Sequence, residues 1–198
     1  MTCIVALRDE LATYMVCDSA WTIHGKGLIT TAATPSKVIS IPIGDTVERA
    51  LVGVCGSGGI LCVLTQAFKD YQLDSSATFR TVYAEIYEQL EAKDLWDVFE
   101  GRDKSEILIA IAGKLYSIHD RYTYIELAEK FTAMGSGADI ALGALYALQA
   151  SKQETWADTS KNQVMAAMQA SAAFDVGVKA PFHLFTTVPT AVSSTCGD

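Results

Sequence analysis

The sequence predicts an α+β fold in which two mainly antiparallel β-sheets pack face to face between two layers of helices. Along the chain, strand-like segments are followed by two helices, further strands, two more helices and a final strand. The apolar runs 50–55 and 107–112 are almost uninterrupted, which is typical of strands buried on both faces. Because amphipathic helices follow each group of strands, we expect each half to supply one sheet of a four-layer αββα sandwich.

The first half contains short runs rich in β-branched and aromatic residues, which predict strands separated by turn residues. Arg8-Asp9-Glu10 connects the first two of them as a hairpin, and the second strand ends at Asp18. From Ile60 onward the apolar residues recur at helical spacing, which predicts two amphipathic helices, over 60–71 and 79–91. The predicted strands of this half are 3–8, 13–18, 21–24, 27–31, 37–41 and 50–55.

The second half is again rich in strands, after a charged and irregular segment, 92–105, that predicts a connecting loop. The strands 107–112 and 115–118 are expected to pair as a tight hairpin across Gly113-Lys114. Two weaker strands, two helices and a last strand complete the prediction, at 122–127, 131–134, 138–148, 160–174 and 182–188. No low-complexity segment or linker divides the chain, so we expect a single domain over residues 1–198.

Composition and charge exclude several functional classes. The net charge is −8 and no run of lysine or arginine is present, which argues against nucleic-acid backbones and anionic membranes as partners. No signal peptide or membrane-spanning run of ~20 apolar residues is recognisable. The five cysteines lack the spacing of a metal site, and we expect reduced thiols in a cytoplasmic protein with no metal and no cofactor.

The chain begins with Met1-Thr2, and an apolar strand follows directly. If Met1 is removed, Thr2 carries a free α-amine and a nucleophilic hydroxyl on the same residue. These groups are a general base and a nucleophile, the minimum that acyl transfer needs. Many chains begin with Met-Thr, so the interpretation depends on what the other residues supply.

Four further features follow in order. Asp18 ends a strand, Lys37 begins one, Gly56 follows a buried strand, and Gly135-Ser136-Gly137 precedes a helix. With the start at Thr2, this pattern resembles the proteasome β-subunit family of N-terminal-nucleophile hydrolases, which includes the bacterial HslV peptidase. The resemblance spans nearly the whole chain and implies the same αββα fold. Its matching segments are 2–7, 17–22, 36–39, 54–58 and 134–137.

The resemblance implies a catalytic role for each matching residue. Thr2 Oγ would be the nucleophile, and its own amine the general base. Lys37 would favour the alkoxide and lower the pKa of the amine through its positive charge, and Asp18 would keep Lys37 charged and oriented. The backbone N–H of Gly56 would form the oxyanion hole, and Ser136 would hydrogen-bond the amine.

The resemblance also implies supporting and substrate-binding residues. Asp175 stands where the family places a second aspartate that supports the serine. Thr22 matches a threonine whose backbone contacts an extended substrate. Trp21 and Val54 flank the expected cleft and imply an apolar pocket for the residue before the cut. Val178 departs from the pattern because eukaryotic members have a serine there, and this departure weakens the expected support of the serine.

Several of these residues have simpler alternatives. Lys37 could be a solvated lysine at a strand edge, and Lys26 is a rival for its role because the chain between Asp18 and Lys37 is longer than the family pattern. Trp21 and Val54 suit an apolar core equally well. Ser136 could only cap a helix, a role compatible with the catalytic one. The glycine-rich segment 56–59 lacks Walker spacing, so a phosphate-binding loop is disfavoured.

The sequence therefore predicts a threonine peptidase that cuts peptide bonds through an acyl-enzyme on Thr2. By resemblance, its substrates would be peptides or unfolded polypeptides, its subunits would form a homo-oligomeric ring, and an ATP-dependent unfoldase could feed that ring. One alternative is a structural or assembly subunit of the same fold that retains Met1 and has no peptidase activity. Another is an N-terminal-nucleophile amidase that acts on small amides.

Overall fold

A computed structural model describes residues 2–23, 27–30, 36–101, 104–150 and 159–188. Most predicted strands and helices are present, with small shifts at their ends. In chain order the elements are β1 (Cys3–Arg8), β2 (Thr13–Cys17), β3 (Ala20–Ile23), β4 (Gly27–Thr30), β5 (Val38–Pro42), β6 (Arg49–Cys55), α1 (Gly58–Ala67), α2 (Phe79–Ala92), α3 (Trp96–Glu100), β7 (Glu106–Ile111), β8 (Lys114–Ile118), β9 (Tyr124–Glu126), β10 (Phe131–Gly135), α4 (Ala138–Ala150), α5 (Ser160–Phe174) and β11 (His183–Thr187).

Two antiparallel sheets form the centre of the molecule. The first has the strand order β10-β1-β2-β11 and the second has the order β5-β6-β7-β8-β9, while β3 and β4 pair separately. An apolar cluster that includes Ile4, Met15, Leu51 and Leu108 fills the space between the two sheets. A second cluster joins the larger sheet to α1, α2 and α3, and a third joins the smaller sheet to α4 and α5. The predicted αββα sandwich is confirmed.

The expectation that each half of the chain supplies one sheet is wrong. β10 and β11 come from the second half but flank β1 and β2, and β7 to β9 extend the sheet that β5 and β6 begin. The alternation of apolar residues specifies which face of a strand is buried but does not name its partner. This pairing of strands from different halves of the chain matters for the site, because β1 pairs with β10 in a register that sets Cys3 opposite Gly135.

Two local predictions also need correction. The segment 92–105 contains a short helix, α3, which is anchored because Trp96 and Phe99 are buried. Five residues are too few to show helical periodicity in the sequence. The turn between β7 and β8 is Ala112-Gly113, one residue earlier than expected, and both residues have positive φ, as a tight hairpin with a two-residue loop requires.

Candidate active site

Asp18 and Lys37 form a buried ion pair at one end of the central sheets. Asp18 directly follows β2 and Lys37 directly precedes β5. Lys37 Nζ lies 2.7 Å from Asp18 Oδ1, and the two side chains are 4% and 0% exposed. Lys37 is therefore not the solvated edge lysine of the simpler alternative. Its rival, Lys26, lies outside the described residues.

The Asp18 carboxylate is held by backbone donors as well as by the lysine. Oδ1 accepts the Cys3 N–H at 2.8 Å, and Oδ2 accepts the Ala20 N–H at 2.9 Å and the Lys179 N–H at 3.4 Å. A buried charge is tolerated when it is paired and its remaining hydrogen bonds are satisfied. Because Cys3 is bonded directly to Thr2, the same carboxylate that holds Lys37 also fixes the backbone beside Thr2.

Thr2 lies at the entry of β1 and is 8% exposed. It lines a cavity of about 150 Å³ together with Lys37 and Gly56. Two of the expected substrate-binding residues, Trp21 and Val54, also line this cavity. The other lining residues are apolar or small: Ala20, Ser57, Gly58 and Leu61. Thr22 belongs to β3, directly after Trp21, and its backbone pairs with Leu28 of β4.

Gly56 occupies a turn that only glycine fits. Its φ is +95°, and a Cβ on it would lie 2.7 Å from both Cα and Oγ of Ser105. Ser105 is buried, and its Oγ accepts the Ser57 N–H at 3.1 Å. Ser105 could not be found from the sequence, because no local motif marks it and it reaches this turn only through the pairing of β6 with β7.

Gly135, the last residue of β10, and Ser136, which follows it, also lie against Thr2. The Ser136 hydroxyl donates to the carbonyl oxygen of Thr2 at 3.4 Å, so it lies beside the residue whose amine it was expected to bind. Gly135 has φ +90°, and a Cβ on it would lie 2.2 Å from that same oxygen. These residues line a second cavity, of about 240 Å³, together with Thr2, Cys55, Gly56, Lys104 and Glu106.

Replacing Gly135 by alanine is expected to destabilise the protein and displace Thr2. The strain of a non-glycine residue in this conformation costs about 1–3 kcal/mol, and the clash with the Thr2 carbonyl adds to it. Chemical denaturation would measure the loss in free energy of unfolding. Gly143→Ala is the matched control, because Gly143 lies in α4 with open space around it. Equal stability of the two variants would contradict the packing described for Gly135.

Asp175 is not joined to Ser136 by a hydrogen bond within the described residues. Its backbone N–H donates to the Ser171 carbonyl, and its Oδ1 accepts the Gly177 N–H, each at 2.7 Å. Its Oδ2 is buried and has no hydrogen-bond partner. Val178, which stands in the serine position of the family pattern, is fully buried and offers no side-chain donor. The expected support of Ser136 by Asp175 is therefore absent from this arrangement.

A different serine supports the Gly135-Ser136-Gly137 turn. Ser171 of α5 is fully buried, and its hydroxyl donates to the Gly137 carbonyl at 2.9 Å. Ser171 could not be found from the sequence, because a serine among the small residues of a helix carries no signal of a long-range contact. Val178 also packs against this turn, with its Cγ2 2.8 Å from where a Cβ on Gly137 would lie.

The buried thiols near Thr2 are poor nucleophiles. Burial raises the pKa of the Cys3 thiol to about 12, although a hydrogen bond with Ser171 opposes the shift. Burial likewise raises the pKa of the Cys55 thiol well above its usual range. Both thiols are therefore protonated near neutral pH. Since the thiolate is the reactive form, neither thiol competes with the Thr2 hydroxyl as a nucleophile.

The part of the chain that the structure describes contains no group of three or more histidine, cysteine, aspartate or glutamate side chains able to hold a metal ion. None of its helices is both long and apolar enough to cross a lipid bilayer.

Comparison with known proteins decides the fold. The sequence matches no protein-family model and no curated protein. Among solved structures, BPH from Thiobacillus denitrificans matches with a TM-score of 0.71 and 23% identity, over 96% of this chain and 99% of that one. The chain has the proteasome-like αββα fold.

Two other proteins share this fold with the chain at lower identity. HslV from Trypanosoma brucei matches with a TM-score of 0.64 and 15% identity, over 93% of this chain and 98% of that one. Anbu from Yersinia bercovieri matches with a TM-score of 0.71 and 13% identity, over 94% of this chain and 81% of that one. The resemblance drawn from the sequence is thus confirmed at the level of the proteasome-like fold.

Proposed function

We propose that this protein is an N-terminal threonine peptidase that cleaves peptide bonds through an acyl-enzyme on Thr2. The observation that carries the proposal is the cavity where Thr2, Lys37 and Gly56 meet, because it gathers a hydroxyl, a fixed positive charge and the turn of the expected oxyanion hole. Asp18, which holds both Lys37 and the Cys3 N–H, keeps these groups in register. Removal of Met1 is required, since it frees the α-amine that acts as base.

In the proposed reaction, Thr2 Oγ attacks the scissile carbonyl carbon while its proton passes to the α-amine. The Gly56 N–H stabilises the oxyanion, and Lys37 favours the attacking alkoxide. The C–N bond then breaks, and the proton on the α-ammonium passes to the leaving nitrogen. Water hydrolyses the ester on Thr2 by the same route in reverse, giving its proton to the amine, and the free hydroxyl is restored.

The α-amine must be neutral to accept the proton from Thr2. An unperturbed α-amino group has a pKa of about 7.7–8.0, and the charge of Lys37 would lower it. The rate of hydrolysis should therefore fall as the pH drops below this pKa, because the amine becomes protonated.

The substrate pocket is expected to prefer an apolar residue before the scissile bond. Trp21, Val54 and Leu61 line the cavity beside Thr2, and the Trp21 ring packs closely on Gly58. A peptide with leucine at this position should be cleaved about tenfold or more faster, in kcat/KM, than one with alanine, because each buried methylene contributes to binding. A fluorogenic peptide series would measure this ratio. A preference for aspartate or lysine there would contradict the assignment of the pocket.

We further propose that the peptidase is a homo-oligomer, with peptides or unfolded chains as substrates and an ATP-dependent unfoldase as a candidate partner. One solved structure of similar fold is described as a helical assembly of the Anbu complex from Pseudomonas aeruginosa. Large apolar side chains are exposed on this chain at Tyr146, Phe174 and Val176, which supports burial by another subunit. A closed ring and an open array would be distinguished by electron microscopy of the assembled particle.

A structural subunit of the same fold without peptidase activity is the second candidate. Asp175 favours it, since the aspartate expected to support Ser136 forms no hydrogen bond with it. Intact-mass measurement on protein from its native host separates the two functions. A mature N-terminus at Thr2, together with turnover of peptides, supports the peptidase. If the processed protein hydrolyses small amides but not peptides, it is an amidase, the other alternative of the same fold. Quantitative retention of Met1 would overturn the proposal.

A further inference from the structure

Two cavities meet at Thr2 and Gly56, and they differ in chemistry. The first is lined by the apolar residues Trp21, Val54 and Leu61, together with Lys37, which is paired with Asp18. The second is lined by two ionisable residues, Lys104 and Glu106, together with Ser136. Thr2 and Gly56 line both cavities.

The inference rests on the proposed function, acyl transfer at Thr2. That reaction needs space for the substrate on both sides of the scissile bond. The scissile carbonyl must lie between Thr2 Oγ and the Gly56 N–H, with the acyl part of the substrate on one side and the leaving amine on the other. The leaving amine receives its proton from the Thr2 amine, and Ser136 contacts the backbone of Thr2. The cavity on the Ser136 side is therefore the one that faces the departing half of the substrate.

The segment that carries the two charges is held rigidly against the turn at Gly56. Ser105 lies between them, is buried, and accepts the Ser57 N–H. Its own N–H donates to the Phe99 carbonyl at 2.9 Å. Glu106 begins β7 opposite Cys55 of β6. Lys104 and Glu106, on either side of Ser105, both line the second cavity.

The two charged groups differ in exposure. Lys104 is exposed, whereas Glu106 is partly buried. Within the described residues neither of them belongs to an ion pair. Solvent and salt screen an exposed charge more strongly than a partly buried one, so Glu106 is expected to dominate the field in this cavity.

We propose that the second cavity binds the residue that follows the scissile bond, and that Glu106 selects a lysine or arginine side chain at that position. The carboxylate supplies the acceptor that such a side chain needs. Lys104, which is exposed and lines the same cavity, opposes this selection and so limits its strength.

The test uses a set of peptides that are identical up to the scissile bond, with lysine, glutamine or glutamate directly after it. For the processed wild-type protein, we expect kcat/KM for lysine to exceed that for glutamine by about three- to fivefold, the range of a partly exposed ion pair. Glu106→Gln should bring this ratio close to one, and Lys104→Met should leave it unchanged or raise it. Glu126→Gln is the matched control and should keep the wild-type ratio, because it removes an exposed carboxylate on β9 that pairs with Lys114 of β8.

The glutamine peptide separates failure of this inference from failure of the proposed function. If it is cleaved but the lysine-to-glutamine ratio is near one, or survives Glu106→Gln, the selection by Glu106 is wrong while the peptidase stands. If no peptide is cleaved by protein processed to Thr2, the peptidase is wrong and the selection is overturned with it. Should Glu106→Gln fail to fold, raising the salt concentration on the wild type replaces it: the ratio should fall towards one, and a salt-independent ratio overturns the proposal.

Discussion

Replacing Thr2 by alanine is expected to abolish peptide hydrolysis while the fold remains intact. The substitution removes the only atom that forms the acyl-enzyme, and loss of a catalytic nucleophile lowers kcat by a factor of about 10⁴ to 10⁶ in hydrolases. Thr2 precedes β1 and contributes little to the apolar core. Steady-state hydrolysis of a leucine-containing peptide, with the melting temperature measured in parallel, would test both parts of the expectation.

Thr2→Ser is the matched control for this experiment. Serine keeps an Oγ at the same position, so the variant should retain measurable activity. Hydrolysis at the wild-type rate by Thr2→Ala, in protein shown by mass to begin at residue 2, would contradict the assignment of the nucleophile.

Replacing Asp18 by asparagine is expected to cause the largest loss of stability. The change keeps the size of the side chain but leaves Lys37 charged, buried and without its partner at 2.7 Å. Removal of one member of a buried ion pair costs about 3–5 kcal/mol. We therefore expect the free energy of unfolding to fall by this amount, with loss of activity because Lys37 is no longer held beside Thr2.

Lys37→Met tests the same pair from the other side and should be less destabilising. The Asp18 carboxylate would still accept the N–H groups of Cys3, Ala20 and Lys179, so its charge would remain partly compensated. Activity should nevertheless fall by about 10²–10³, the usual effect of removing one electrostatic stabiliser of the transition state.

Urea unfolding of Asp18→Asn, Lys37→Met and the double variant would give the coupling free energy of the pair. Equal stability of the wild type and Asp18→Asn would show that the ion pair does not fix this site. Wild-type activity in folded Lys37→Met would rule out a catalytic role for the lysine.

Much of the fold could be predicted because its main elements carry strong local patterns. The apolar runs of β6 and β7 and the helical spacing of α2 and α5 each depend on residues close together in the sequence. The candidate site residues could also be predicted, since each of them adjoins the end of such an element: Thr2, Asp18, Lys37, Gly56 and Ser136. Their gathering around Thr2 follows from how those ends meet in the sandwich.

The features that the sequence did not reveal depend on contacts between distant segments. Strand pairing across the two halves is set by packing rather than by pattern, and it places Gly135 beside Thr2. Ser105 and Ser171 act through the turns at Gly56 and Gly137, which lie far from them in sequence. The expected hydrogen bond between Asp175 and Ser136 is missing. Val178, three residues after Asp175, supplies an apolar side chain where the family pattern has a hydroxyl.

The central claim is that Thr2 carries both the nucleophile and the base. An epoxyketone tests it directly, because the inhibitor needs the hydroxyl and the free α-amine of one residue to form its adduct. A structure of BPH from Thiobacillus denitrificans, which shares the fold, is in complex with epoxomicin. Protein processed to Thr2 should gain one inhibitor mass per chain, mapped by tandem mass spectrometry to Thr2, and Thr2→Ala should gain none. Processed wild-type protein that forms no adduct, or an adduct on any other residue, would contradict the claim.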